Sequence, residues 1–275
     1  MRMKIFQVDA FTSEPFGGNP AAVVPLESWL ADEVMLKIAA ENNLSETAFF
    51  VKEGDRYHIR WFTPSVEVNL CGHATLATSH VIFNELGLKT EEIKFHSDRS
   101  GELGVKKDGE RLLLDFPAYP MTEIETPAGL VEAVGARPRR TWESQGNMVF
   151  LLLDSVDQIR ALGPDMSELM KQNYDEVIVT TRGDDCDFAS RMFAPRIGIP
   201  EDPVTGAIHC SLIPYWAREL GKTGLFARQV SPRGGELFCE LAGDRVKIDG
   251  NAVTFLKGEI YLEVSPQSSQ RAQSF

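Results

Sequence analysis

Apolar and polar residues alternate with a period of two over residues 3–11, which predicts an opening strand. A short apolar run at 21–24 follows the turn signal Phe16-Gly17-Gly18-Asn19-Pro20 and predicts a second. From 29 to 42 the period lengthens. Leu30, Val34, Ile38 and Ala39 fall on one helical face, Asp32 and Glu33 occupy the first turn, and Ser28 stands where an N-cap belongs. Strands are predicted at 47–52 and 56–63, separated by Gly54-Asp55, and a helix at 72–86 stopped by Gly87. Three more strands follow at 92–97, 101–107 and 111–116, the last two joined by an Asp108-Gly109 hairpin turn.

The second half repeats this pattern. Shifting the sequence by 134 positions aligns Gly72 with Gly206, Glu85-Leu86-Gly87 with Glu219-Leu220-Gly221, and Ser97 with Ser231. Arg99 then meets Arg233, Gly101-Glu102-Leu103 meets Gly235-Glu236-Leu237, Gly109 meets Gly243 and Arg111 meets Arg245, all without a gap. Chance would supply about two or three such identities over the stretch. Upstream, Arg60-Trp61-Phe62-Thr63-Pro64 echoes Arg191-Met192-Phe193-Ala194-Pro195, and Gly18-Asn19 echoes Gly146-Asn147. A period this long, repeated twice, predicts two similar domains, 1–118 and 119–264, joined near 116–120 with a cleft between them. The last strand is free to pair back to the first, and the polar segment 265–275 is expected to be disordered.

Composition narrows the partners. The 275 residues carry 28 Lys+Arg against 40 Asp+Glu, a net charge of −12. That field repels nucleic acid and anionic lipid, and an anionic ligand would need positive potential gathered locally. Four scattered cysteines without a Cys-x-x-Cys, and an N-terminus that enters a strand without an apolar leader, predict free thiols and a cytoplasmic location. With no run of about 18 apolar residues, no membrane span is expected.

Candidate chemistry gathers at the two helix starts. Gly72-His73-Ala74-Thr75 opens one helix and Gly206-Ala207-Ile208-His209 the other. A pseudo-twofold would aim both N-termini into the cleft, where unpaired N–H groups suit a carboxylate and a glycine lets it approach the backbone. The plainer reading of Gly72 and Gly206 is tight turning or close helix packing. His73 would sit in positive potential that favours its neutral form; its repeat partner is Ala207, so a shared structural need does not demand it. Glu46 lies between a helix and an apolar strand, where burial could raise its pKa for acid/base work, unless it is simply a solvated loop carboxylate. Asp202 precedes the second helix, where capping is the ordinary role of an aspartate.

Five segments in order, 16–24, 42–49, 70–75, 114–117 and 201–206, resemble the PhzF-like (phenazine biosynthesis-like) isomerase family. They include Gly18-Asn19-Pro20, Asn43-Leu44-Ser45-Glu46-Thr47, Cys71-Gly72-His73, Asp115-Phe116-Pro117 and Asp202-Pro203-Val204-Thr205-Gly206. The resemblance implies an α+β, diaminopimelate epimerase-like fold of two pseudo-twofold-related halves, each a β-barrel-like sheet around a central helix. It implies catalysis without organic cofactor or metal, and a homodimer. It places the family's glutamate on Glu46, its glycine-histidine pair on Gly72 and His73, and its aspartate on Asp202, with Asn19, Ser45, Gly72, Gly206 and Ala207 against a small carboxylate-bearing substrate. Glu46 would take a proton from carbon and return it elsewhere in a conjugated system, while His73 and Asp202 position or exchange protons on polar groups.

Departures keep two rivals open. Related racemases and epimerases on this fold use one thiol from each half; Cys71 suits the first, but its repeat counterpart is Thr205 and Cys210 is not equivalently placed. A racemase relying on Cys71, or a small-molecule-binding protein without chemistry, remains as an alternative. Ala207 stands where the family also has a hydroxyl residue, so a polar contact to substrate would be missing. Gly221-Lys222-Thr223 ends a helix and makes no phosphate loop, and the histidines show no metal-ligand spacing.

Overall fold

The computed structural model describes residues 1–262; the segment 265–275 lies outside the described residues. The first half comprises β1 (Arg2–Ala10), β2 (Asn19–Leu26), α1 (Asp32–Asn42), β3 (Glu46–Glu53), β4 (Arg56–Phe62), β5 (Glu67–Val68), α2 (Gly72–His80), β6 (Glu92–Ser97), β7 (Gly101–Asp108) and β8 (Arg111–Pro117). The second continues with β9 (Thr122–Ile124), α3 (Leu130–Val134), β10 (Arg140–Ser144), β11 (Met148–Leu152), α4 (Val156–Ala161), α5 (Met166–Leu169) and β12 (Glu176–Arg182). It closes with β13 (Phe188–Ala194), β14 (Ile199–Asp202), α6 (Gly206–Leu220), β15 (Gly224–Gln229), β16 (Gly235–Ala242), β17 (Arg245–Gly250) and β18 (Ala252–Tyr261).

The duplication is visible strand by strand. In the first half β1–β2 is antiparallel, β2–β3 parallel, β3–β4 antiparallel, β4–β6 parallel, and β6–β7–β8 antiparallel. From β10 to β11, β12, β13, β15, β16 and β17 the same alternation recurs in the same order. Each curled sheet wraps one helix, α2 in the first lobe and α6 in the second. Both are walled by apolar side chains from the sheet's inner face, among them Trp61, Phe95, Phe188 and Leu237. Two strand pairings weld the lobes: β8 pairs with β17, and β18 returns to pair with β1 along its whole length. Smaller clusters lie outside the barrels, under α1 and under α3–α5.

Two predicted elements shift. The helix expected from residue 29 begins at Asp32, with Ala31 and not Ser28 at its N-cap. Trp29 is held elsewhere, edge-on to His58 with ring centroids 4.8 Å apart and under the Arg60 guanidinium, so the chain cannot coil until past it. The helix expected over 72–86 is α-helical only to His80; Val81–Glu85 widens into a π turn, with Leu86 N–H donating to Val81 C=O. Its last residue is tied outward, Glu85 accepting from Thr254 of β18 and pairing with Lys257.

Candidate active site

Gly72 and Gly206 meet face to face at the junction of the lobes. A Cβ built on either would lie 4.0 Å from the other's Cα. That is ordinary van der Waals contact, and neither glycine has positive φ, so neither packing nor turn geometry requires glycine there. What the absent Cβ atoms provide is open approach to two helix N-termini. Neither Cys71 nor Thr205 caps its helix through a side chain, so the first-turn N–H groups keep their hydrogen-bonding capacity. In a chain of net charge −12, this supplies local positive potential from the backbone.

Around this point the structure gathers Glu46, His73, Asp202 and Asn19, all buried. His73 Nε2 lies 3.1 Å from Glu46 Oε2, at ion-pair distance but off hydrogen-bonding direction. His73 Nδ1 faces Cys71 Sγ at 3.4 Å and Asn19 Nδ2 at 3.2 Å. Asn19 bridges the lobes: its Nδ2 donates to Asp202 Oδ1 at 2.7 Å and to the Val204 carbonyl at 2.8 Å. Two acceptors there fix the amide's orientation, because the reverse would set Oδ1 against both. Gly18 makes this placement possible, since its φ of +61° and a Cβ position 2.1 Å from the Ala10 carbonyl oxygen admit no side chain.

Asp202 does not cap α6. Its Oδ2 accepts from Thr205 Oγ1 at 2.5 Å, and Gln229 braces both residues, accepting from Thr205 N–H and donating to the Asp202 carbonyl. His209 Nδ1 donates to the Thr205 carbonyl; burial pushes this imidazole down to about 4, so it is neutral at pH 7. Neither Thr205 nor Gln229 is evident as a site residue in the sequence, because their roles depend on one side chain turning back on another. Ser45, next to Glu46, is half-buried, and Ala207 is exposed on the first turn of α6; neither side chain hydrogen-bonds within the described residues.

The charges modify one expectation. Burial opposes a charged His73, but the Cys71 sulfur and the Glu46 carboxylate outweigh it and hold the imidazole well above its ordinary value. Positive potential at the helix end therefore does not keep it neutral. Burial, with the Glu46 charge, pushes the Cys71 thiol itself up to about 11. Burial pushes Asp202 up to about 6; the Glu46 charge adds to this, while His73, Thr205 and Asn19 pull it down. Donor atoms of Glu46, Cys71 and His73 all lie within 4.8 Å of one another, close enough to hold a metal ion. Such a set would first have to ionise a thiol that burial keeps protonated.

A cavity of about 800 Å³ opens behind Gln229 and is lined by Arg160, Arg191, Arg228 and Arg233, but by none of Glu46, His73 or Asp202. Three of its arginines are already paired, Arg191 with Glu201, Arg228 with Asp185 and Glu236, and Arg233 with Asp9. It adjoins the acid cluster without being it. No helix among the described residues is long and apolar enough to cross a membrane.

Residues 8–258 match the family model described as phenazine biosynthesis-like protein. An uncharacterized isomerase of Pseudomonas aeruginosa is 52% identical over 262 residues, 95% of this chain and 100% of that one. The crystal structure of a PhzF-family protein from Enterococcus faecalis superposes with a TM-score of 0.92 at 48% identity, covering 95% of this chain and all of that one. A hydroxyproline epimerase from Agrobacterium vitis, at 12% identity and a TM-score of 0.60 over 97% of this chain and 94% of its own, shares the fold alone.

Proposed function

From the premise that this chain belongs to the phenazine biosynthesis-like protein family, we propose that it is an isomerase that moves a proton, and with it a double bond, on a small carboxylate-bearing substrate. Glu46 is the acid/base in this reading. The observation that carries it is the placement of a buried carboxyl 3.1 Å from a buried imidazole, where two uncapped helix N-termini meet. The N–H groups of those termini would hold the substrate carboxylate and stabilise the negative charge that develops as the proton leaves carbon. His73 keeps the Glu46 carboxylate oriented, and Asp202, which titrates near 6, exchanges or holds a proton on the substrate's polar groups. Protons are handled by side chains throughout.

The racemase reading fits less well. A thiol pushed up to about 11 is a poor base at neutral pH, and the corresponding place in the second lobe holds Thr205. The test is incubation with cyclic or unsaturated carboxylates in D₂O, followed by NMR. Deuterium entry at carbon is expected in the wild type and lost in Glu46→Gln. Exchange that continues unchanged in this variant would remove Glu46 from the mechanism.

A further inference from the structure

Glu46 has a counterpart. It opens β3, which runs parallel to β2 and antiparallel to β4; Glu176 opens β12, parallel to β11 and antiparallel to β13. The register makes the match: Thr47 pairs with Phe62 and Val177 with Phe193, the two phenylalanines of the repeated Arg60–Pro64 and Arg191–Pro195 segments. The residue before each partner is a glutamate in both lobes. Glu176 also faces inward. Ile178, two residues on and so on the same face, pairs with Met192, and Met192 pairs with Asp202, so these side chains share the barrel's inner surface.

The lobes differ in what meets this carboxyl. In the first, His73 contacts Glu46. In the second, His73's place is taken by Ala207, and Glu176 Oε2, like Glu46 Oε2, is buried without a hydrogen-bond partner but has no imidazole paired with it. A buried carboxyl oxygen without a partner is costly unless a ligand supplies one.

We propose that Glu176 is a second acid/base of the active site, facing the substrate from the second lobe as Glu46 faces it from the first. This rests on the isomerase reading and extends it from one proton carrier to two. The Glu46 carboxylate takes a proton from the carbon beside the substrate carboxylate. The freed electron pair forms the new double bond, the old one opens, and the Glu176 carboxylic acid gives its proton to the far carbon. Glu46 ends protonated and Glu176 ionised, and the reverse reaction or exchange with water restores both. Burial, then the charges of Asp202 and Asp175, push the Glu176 carboxyl up to about 7, so both forms are present near neutral pH.

Difference infrared titration of the wild type against Glu176→Gln isolates this carboxyl's band. Benzoate, a cyclic carboxylate that cannot rearrange, is expected to raise its midpoint by about half a pH unit or more, in Glu46→Gln as well as in the wild type. Ala207→His, which restores the missing partner, is expected to lower it by about one unit. With cyclohex-2-ene-1-carboxylate in D₂O, Glu176→Gln should keep deuterium entry beside the carboxylate but form the shifted alkene ~100-fold more slowly. A midpoint that benzoate leaves unmoved, or wild-type alkene formation in Glu176→Gln, overturns the proposal. Deuterium entry surviving in Glu46→Gln overturns the Glu46 reading instead.

Discussion

Replacing Asp202 with asparagine should stabilise the protein above neutral pH while removing a group assigned to the reaction. In the folded chain burial pushes the Asp202 carboxyl up to about 6, against an ordinary 3.8. Below the lower value the group is neutral in both states and burial carries no charge penalty. As pH rises the unfolded chain ionises first, so stability falls, and the full loss is reached once pH passes the folded value. The difference corresponds to about 3 kcal/mol. Asparagine keeps a carbonyl to accept from Asn19 Nδ2 and sets its amide against Thr205 Oγ1, so the shape survives without the charge. Urea unfolding between pH 4 and 8 should therefore show a small difference at the acid end, growing to about 3 kcal/mol in favour of Asp202→Asn above pH 7. The neighbouring Glu176, relieved of a like charge, moves the result in the same direction. A difference independent of pH would show that Asp202 is not held near 6, and the proton-exchanging role given to it would go too.

Other substitutions separate chemistry from architecture. Cys71→Ser should retain isomerisation within a few fold by NMR, whereas a thiol-dependent racemase would lose it. Gly206→Ala should change stability by no more than ~1 kcal/mol in urea unfolding, since its Cβ meets only ordinary contacts, yet abolish ligand binding by calorimetry if substrate approaches that backbone. Gly18→Ala should cost several kcal/mol by the same unfolding assay, because the new Cβ would collide with the Ala10 carbonyl at positive φ.

Local pattern was legible where local physics decides. The hairpin turning at Asp108-Gly109 lies between β7 and β8 as its turn chemistry requires, and the 134-residue repeat gives β16 and β17 in the same places. Glu46, His73 and Asp202 are far apart in sequence, and the family resemblance, not their spacing, named them together. What stayed hidden depends on tertiary contact. The start of α1 moves because Trp29 is packed on His58, and the upward shift of His73 follows from a sulfur brought to 3.4 Å and a carboxylate to 3.1 Å. Glu176 escaped notice because the repeat offset drifts, from 128 at Gly18-Asn19 to 131 at Arg60–Pro64, and only strand pairing shows that 130 applies at Glu46.

The ladder between the first and last strands also governs how the molecule is born. Residues 252–261 complete the sheet around α2, so the amino-terminal lobe leaves the ribosome with one flank open. It must wait for almost the entire remaining polypeptide before that flank closes, while the strand that the carboxy-terminal sheet borrows, β8, is made before it. Nascent chains stalled before residue 252 should therefore expose the outer edge of β1, a natural place for chaperones to bind.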